Sequence, residues 1–157
     1  MMAAMQTTEL RGELKLNESM QRYNSWRVGG HAERLYIPAD LADLQQFLAG
    51  LPAHEPRYVL GLGSNLLVPD EGIKGTVVVM HNALNQMHLE HGSVYVEAGV
   101  TTAKVARFCI KSGLRGAEFL AGIPGTMGGA LAMNAGCHGG ETWNLVSKVM
   151  TLDHHGE

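Results

Sequence analysis

Apolar and polar positions alternate in short blocks along the first half of the chain. Residues 34–38, Arg-Leu-Tyr-Ile-Pro, predict a strand that the proline ends. Asp40 stands where a helix N-cap belongs, leucines follow it at helical spacing, and Gly50 marks the end of that helix. Residues 58–60 and 76–80 are rich in strand-forming side chains. The order strand, helix, strand predicts a βαβ unit.

The second half shows a hairpin pattern followed by a helix pattern. Residues 87–97 predict a β-hairpin, because two apolar runs flank a His-Gly-Ser turn at 91–93. Thr101 or Thr102 is placed to cap the next helix, whose apolar positions share one face. Gly113 is expected to end it.

Both ends of the chain carry weaker patterns. Residues 1–22 mix charge with weak periodicity and predict a tail or a short helix. Residues 145–153 alternate loosely and predict a strand, with a turn starting at 155–157. Because a hairpin turn at a terminus has no returning strand to pair with, we expect the polypeptide to be the front part of a longer protein.

Composition narrows the class of protein. The 157 residues are 45% apolar and 17% charged, which is enough to bury the core of one medium domain or two small ones. The net charge of −3 and the lack of a basic run argue against nucleic acid as a partner. No apolar run approaches the roughly 20 residues of a membrane span. Cys109 and Cys137 are too few for a disulfide framework, so we expect a cytoplasmic protein with reduced thiols.

Two glycine-rich segments carry the strongest chemical signal. Residues 61–65, Gly-Leu-Gly-Ser-Asn, follow a predicted strand, which is where ligands bind in open α/β sheets. Residues 122–136 hold five glycines in an apolar context, unlike a flexible linker. Because bare backbone lets several amides converge on an anion, we expect the two segments to form opposite walls of a pyrophosphate site.

Each segment also has a purely structural interpretation. The turn at 61–65 fits neither the Gly-x-Gly-x-x-Gly pattern nor a P-loop, and an ordinary strand-to-loop turn is its alternative. Pro124 suits the first turn of a helix, and a helix starting near Thr126 would direct its N-terminal amides at an anion. Close packing of a buried helix against another backbone is the alternative explanation of its glycines.

Other reactive residues do not form recognisable constellations. The eight histidines have no partners at metal-ligand spacing. Cys137 and His138 lack the arrangement of a cysteine nucleophile, and the chain has no Gly-x-Ser-x-Gly elbow. The sequence therefore predicts neither a metal site nor a nucleophile.

Four blocks of the sequence resemble, in order and spacing, the N-terminal part of the UDP-N-acetylenolpyruvoylglucosamine reductase family. The blocks are Asn24–Gly30, Leu60–Val68, Glu97–Val100 and Glu118–Gly136. Together they cover roughly residues 20–155. Chance agreement of all four, in this order, is not expected.

The resemblance implies an α+β protein with the FAD-binding fold of the vanillyl-alcohol-oxidase (PCMH) type, in which two α+β subdomains hold FAD between them. Residues 1–22 would be an N-terminal tail. Residues 23–80 would form the first, βαβ-like subdomain, and residues 81–157 a truncated second subdomain. The substrate domain of the family would lie outside this sequence.

The resemblance also implies which residues contact the cofactor. The first glycine turn, the second glycine segment and the residues just after it would contact the pyrophosphate and the flavin. The implied FAD contacts are Gly61, Leu62, Gly63, Ser64, Asn65, Leu66, Gly99, Gly122, Ile123, Pro124, Gly125, Thr126, Gly128, Gly129, Asn134, Ala135 and Gly136.

In the family, NADPH reduces FAD, and the reduced flavin passes hydride to the enolpyruvyl double bond of a UDP-sugar, which yields UDP-N-acetylmuramate for peptidoglycan synthesis. The family's arginine, serine and glutamate that assist this step would follow residue 157, so no catalytic residue is assigned here. Two alternatives stay open. One is a non-catalytic FAD-binding fragment; the other is a different flavin oxidoreductase of this fold, some of which attach FAD through a residue such as Cys137 or His138.

Overall fold

The computed structural model describes residues 9–157, and the first half of that range folds into a four-stranded sheet with one helix. Its elements in chain order are β1 (Glu13–Ser19), β2 (His31–Ile37), α1 (Leu41–Ala49), β3 (Arg57–Leu60) and β4 (Ile73–Val79). The strand order across the sheet is β1-β2-β4-β3. Both β2 and β3 pair in parallel with β4, while β1 pairs antiparallel with β2. The predicted βαβ unit is confirmed, with β4 inserted between its two strands.

The two central strands are buried on both faces, which explains the continuous apolar run in β4. Tyr36 and Val78 are register partners and pack with α1, where the Tyr36 ring stacks on Phe47 with 3.7 Å between ring centroids. Leu35 and Val77, the next partners along, belong to the core on the opposite face. This division follows from the two-residue period of side chains in a strand.

The second half combines two hairpins with two helices around a separate core. Its elements are β5 (Met87–Glu90), β6 (Ser93–Val96), α2 (Thr102–Lys111), α3 (Met127–Met133), β7 (Gly136–Cys137) and β8 (Gly140–Glu141). Short 3₁₀ turns occur at Met20–Arg22, Glu118–Gly122 and Thr142–Asn144. The hairpin predicted over 87–97 is confirmed: its turn residues His91 and Gly92 have φ of 46° and 83°, as a type I′ turn requires.

Asp43 anchors the start of α1 to the sheet and to the N-terminal segment. Its side chain is 2% exposed and accepts hydrogen bonds from the hydroxyl of Tyr36 (2.6 Å) and from the N–H groups of Arg11 (2.7 Å) and Ala39 (3.0 Å). Burial raises the pKa of the Asp43 carboxyl, but the Tyr36 hydroxyl and the amide donors outweigh that effect and hold the pKa below its usual value. Asp40 caps the helix as predicted, accepting from the Asp43 N–H at 2.9 Å.

Three predictions of secondary structure are wrong in the described part of the chain. Residues 13–22 form β1 and a 3₁₀ turn rather than a tail or an α-helix, whereas residues 1–8 lie outside the described range. Pro124 precedes the cap of α3 and is not in its first turn. Residues 145–153 contain no strand, since no described strand runs beside them to complete a ladder.

The remaining helix predictions are confirmed. Helix α2 starts at Thr102 after Thr101 in the cap position, and Gly113 follows it with φ of +72°.

The turn predicted near 155–157 is present, with the Asp153 carboxylate accepting from two backbone N–H groups. Every helix within residues 9–157 is too short or too polar to cross a bilayer.

Candidate functional site

The two glycine-rich segments meet in the structure. A Cβ placed on Gly61 would overlap Oγ1 of Thr126. A Cβ placed on Gly125 would lie 4.0 Å from Oγ of Ser64. The loop that follows β3 therefore faces the turn that precedes α3.

The loop after β3 has unused hydrogen-bond donors. Within residues 9–157, the amide N–H groups of residues 62–66 have no protein acceptor. The side chains of Ser64 and Asn65 also lack a partner there. A run of adjacent free N–H groups without a nearby carboxylate partner is the donor arrangement that binds phosphate groups.

The same loop is fixed in place by the turn that precedes β2. Gly63 has φ of +67°, a backbone conformation that disfavours any residue with a Cβ. A Cβ at this position would also overlap the carbonyl oxygen of Tyr23. Ser25 donates its N–H to the Gly63 carbonyl at 3.1 Å. The Gly63 carbonyl is thus used by the fold, whereas the N–H groups of the loop are not.

Helix α3 does not offer the free amides that the sequence suggested. The N–H groups of Met127 and Gly128 donate to carbonyls of the 98–100 segment at 2.8 and 2.9 Å. The N–H of Gly129 donates to Oγ1 of Thr126, the N-cap, at 3.4 Å. The prediction that this helix directs its N-terminal amides at an anion is therefore wrong for these three residues. The N–H of Thr126 itself has no acceptor among the described residues.

Thr102 holds the second wall in position. It is fully buried at the start of α2, and its hydroxyl donates to the Ile123 carbonyl at 2.5 Å. Its N–H donates to the Gly125 carbonyl at 3.0 Å. Both bonds tie the turn before α3 to a helix of the core, so the fold's own hydrogen bonds hold this wall in place.

Packing explains some of the glycines and leaves others unexplained. A Cβ on Gly99, Gly122 or Gly128 would come within 3.0 Å of a neighbouring atom, so the protein's own packing excludes a side chain there. Gly125 and Gly129 differ, because a Cβ would have its nearest neighbours at 3.9 and 3.6 Å, which are ordinary contact distances. Space beside these two glycines is therefore available to a ligand.

The residues after α3 are used for structure. Asn134 ends the helix in the left-handed region, with φ of 43°, and its amide group bonds the Glu141 carboxylate (3.0 Å) and the Trp143 N–H (3.1 Å). Ala135 donates its N–H back into the helix, and Gly136 pairs in β7. No hydrogen bond among the described residues joins this stretch to the loop after β3.

The sequence reasoning missed a cationic cavity beside the loop. It is an open cavity of about 690 Å³, lined by Gln21, Arg22, Asn24, Ser25, Arg27 and Leu62. Asn24, Ser25 and Arg27 belong to the first block of the family resemblance, to which the sequence alone gave no chemical role. Two arginines separated by five positions, each without an acidic neighbour in sequence, were the available signal.

The other reactive residues belong to the second half of the chain, where Cys137 and His138 lie beside Gly122. Cys109 packs in the core of the second half, where burial raises the pKa of its thiol. His138 lines a separate cavity of about 440 Å³ together with Glu118 and Phe119. Within residues 9–157, no three His, Cys, Asp or Glu side chains come together as metal ligands would.

The observed donors fit the diphosphate of a dinucleotide such as FAD. The loop amides supply neutral donors, the space at Gly125 admits a group against bare backbone, and the arginines of the adjacent cavity add positive charge.

These features also agree with comparisons to known proteins. Residues 32–157 match the family model described as "FAD binding domain".

Two curated relatives that match more than nine-tenths of this chain carry one name. One is a UDP-N-acetylenolpyruvoylglucosamine reductase of Nitrosospira multiformis, with which the chain shares 60% sequence identity. That alignment covers 94% of this chain and 44% of the relative. The Alkalilimnicola ehrlichii protein of the same name shares 57% sequence identity with the chain. That alignment covers 92% of this chain and 49% of the relative. The chain thus spans about half the length of the curated relatives it matches.

A solved structure shows the same fold. The UDP-N-acetylenolpyruvylglucosamine reductase (MurB) of Thermus caldophilus superimposes with a TM-score of 0.61 at 34% identity, covering 84% of this chain and 45% of that one. The α+β, FAD-binding fold expected from the sequence is confirmed. The chain belongs to the FAD-binding domain family, and its resemblance to an N-terminal portion of the UDP-N-acetylenolpyruvoylglucosamine reductases is confirmed.

Proposed function

We propose that this chain is the FAD-binding portion of a UDP-N-acetylenolpyruvoylglucosamine reductase. The FAD diphosphate lies between the loop 62–66 and the turn 122–126. The observation that carries this proposal is the row of free N–H groups in the loop, facing a second wall where Gly125 leaves room. Each hydrogen bond from such a donor to a charged phosphate contributes about 1.5–3 kcal/mol.

The proposed contacts divide by role. Residues 61–66, Gly125, Thr126 and Gly129 touch the cofactor directly, through free donors or through uncovered backbone. Gly99, Gly122 and Gly128, with Ile123 and Pro124 between them, shape the second wall by allowing close packing. Asn134, Ala135 and Gly136 would lie at the edge of the cofactor site. The side chain of Asn134 holds the segment that follows α3 in place through its hydrogen bonds.

The proposal extends to the reaction of the whole protein. Bound FAD supplies hydride transfer, with NADPH as the donor. The substrate is the UDP-sugar that bears an enolpyruvyl group, the product is UDP-N-acetylmuramate for peptidoglycan synthesis, and the setting is the cytoplasm. Residues 23–80 and 81–157 would be the two FAD-binding subdomains. The chain's own contribution is to bind and orient the cofactor.

Flavin binding to the purified chain tests the proposal. We expect FAD to bind with quenched fluorescence and to raise the melting temperature. Riboflavin lacks phosphate, so we expect it to bind at least about tenfold more weakly than FAD, as the loss of one charge-assisted hydrogen bond requires. A folded chain that binds FAD no better than riboflavin would overturn the proposal.

Turnover separates the binding portion from a complete enzyme. The FAD-loaded chain is expected to show no NADPH oxidation that depends on the UDP-enolpyruvyl sugar, because the residues proposed above bind the cofactor and none of them is assigned a role in that step. Substrate-dependent oxidation by the chain alone would show that the catalytic groups are present after all.

A further inference from the structure

The segment 97–102 runs beside the second wall of the site as a short antiparallel ladder. Thr102 donates its N–H to the Gly125 carbonyl at 3.0 Å. In return, the N–H groups of Met127 and Gly128 donate to two carbonyls of the segment, at 2.8 and 2.9 Å. The position of the turn before α3 therefore depends on where this segment lies.

The same segment is anchored to residues 80–86, which connect β4 to β5. Glu97 makes two hydrogen bonds with Gln86: its N–H donates to the Gln86 carbonyl at 3.0 Å, and its carboxylate accepts from the Gln86 N–H at 2.7 Å. Gly99 donates its N–H to the Leu84 carbonyl at 2.8 Å. The segment thus joins the connection that leaves the sheet of the first half to the second wall of the site.

Close packing on both neighbours fixes the segment further. A Cβ on Gly99 would overlap the carbonyl oxygens of Met80 and Leu84. A Cβ on Gly128, in α3, would lie 3.0 Å from the Cβ of Ala98. Because close-packed groups transmit a displacement instead of absorbing it, a shift of the segment should move α3 as well.

The side chain of Glu97 is the point at which this arrangement can be loosened without adding atoms. The bond from the Gln86 N–H to the Glu97 carboxylate involves a side chain, whereas the other bonds named above join backbone groups. Glu97 is half-buried, and a hydrogen bond to a charged acceptor is stronger than one between neutral groups. Truncating this side chain therefore removes one anchor of the segment and leaves the ladder itself chemically unchanged.

We propose that Glu97 is a positioning residue for cofactor binding. By holding the segment 97–102 on Gln86, it fixes the ladder that sets the turn 122–126 against the loop 62–66. Glu97 acts through the segment and does not touch the cofactor. This inference rests on the proposed function, since it assumes that FAD lies between these two walls.

FAD titrations of the whole chain and its variants test the role. We expect Glu97→Ala to weaken FAD binding at least about threefold, as the loss of one hydrogen bond in the support of the wall allows. Glu97→Gln keeps an acceptor oxygen, so its affinity should stay within about twofold of the wild type. The matched control is Glu90→Ala, which removes the same charge from an exposed position at the end of β5 and should leave FAD affinity unchanged. Glu97→Asp, whose carboxylate is one methylene shorter, provides the same test if the alanine variant does not fold.

Amide hydrogen exchange in the ligand-free chain shows whether the effect passes through the ladder. In Glu97→Ala, the N–H groups of Met127 and Gly128 should exchange faster than in the wild type, and by a larger factor than the N–H of Val77 in β4. Phe47→Leu weakens the core under α1, away from the segment, and serves as the control for a general loss of stability. It should lower the melting temperature and leave the FAD affinity of the folded chain unchanged.

The results separate the two proposals. If the wild-type chain binds no FAD, the proposed function fails and the inference with it. If FAD binds but Glu97→Ala matches Glu90→Ala, or if Glu97→Gln binds as weakly as Glu97→Ala, the positioning role alone is overturned. Unchanged exchange at Met127 and Gly128 in Glu97→Ala would also overturn it.

Discussion

Gly61 and Thr126 touch across the boundary between the two halves of the chain. Gly61 directly follows β3 and belongs to the first half, whereas Thr126 caps α3 in the second. The space a Cβ would need on Gly61 is filled by the Thr126 hydroxyl. This contact sets the separation of the two walls of the site. A substitution at either Gly61 or Thr126 should therefore change that separation.

Gly61→Ala should destabilise the chain by about 1–3 kcal/mol, because the added methyl group has to displace Thr126. Thr126→Ala alone should cost about 0.5–1 kcal/mol, the low end for an N-cap, since its hydrogen bond to Gly129 is long at 3.4 Å. The double variant should be less destabilised than the sum of the two. Urea denaturation of the four proteins measures the coupling, and strict additivity would contradict the contact.

Gly125→Ala should leave the fold intact and weaken FAD binding. The new Cβ would have ordinary contact distances to its nearest atoms, Ile123 Cγ2 and Ser64 Oγ, so the stability should change by less than about 1 kcal/mol. The methyl group enters the space proposed for the cofactor, and losing one charge-assisted bond corresponds to a roughly 10–100-fold loss of affinity. Gly50→Ala, at the end of α1, is the matched control. Equal FAD affinity in both variants would place the cofactor elsewhere.

Local patterns predicted most of the fold that supports this site. The capped helix after Asp40, the apolar run of β4 and the turn at His91-Gly92 each encode their structure in adjacent residues. Strand β1 could not be found this way. Its leucines at 14 and 16 are exposed at the sheet edge, so its strand state comes from pairing with β2 and not from burial.

The site itself was predicted as two walls, and the structure brings those walls together. What the sequence could not show is which donors remain free. Motif reasoning placed free donors in both the loop after β3 and the α3 N-terminus, but the 98–100 segment, distant in sequence from the cap, uses the Met127 and Gly128 amides. The cationic cavity was missed for the same reason, because only the packing of Gly63 on the Tyr23–Asn24 turn brings Arg22 and Arg27 to the loop.

Thr102→Val should weaken FAD binding without touching the cofactor. Valine keeps the volume but removes the hydroxyl that donates to the Ile123 carbonyl, which still accepts from the Gly125 N–H, so the cost should be about 0.5–1.5 kcal/mol. The turn before α3 then keeps its tie to α2 through the Thr102 N–H but loses the one made by the hydroxyl, so FAD affinity should fall several-fold. Thr102→Ser retains the hydroxyl and should restore binding. Weaker binding in the serine variant than in the valine variant would refute this role.

Asp43→Asn tests the buried carboxylate that anchors α1, and its effect should depend on pH. The amide cannot accept from Tyr36, Arg11 and Ala39 as the carboxylate does, so we expect a loss of about 1–3 kcal/mol at pH 7. Since the hydrogen bonds hold the pKa of the folded carboxyl below its unfolded value near 3.8, the wild-type advantage is complete above roughly pH 5. It should shrink as the pH falls below about 4 and the carboxylate protonates.

Guanidinium denaturation of both proteins between pH 7 and pH 3 measures that advantage as a difference in unfolding free energy. Other carboxylates titrate in both proteins and largely cancel in the difference. Tyr36→Phe is the matched control, because it keeps the ring stacked on Phe47 and removes only one donor, so it should cost less than Asp43→Asn. A difference between wild type and Asp43→Asn that stays constant down to pH 3 would mean that the carboxylate charge contributes nothing, and that only the shape of the side chain anchors the helix.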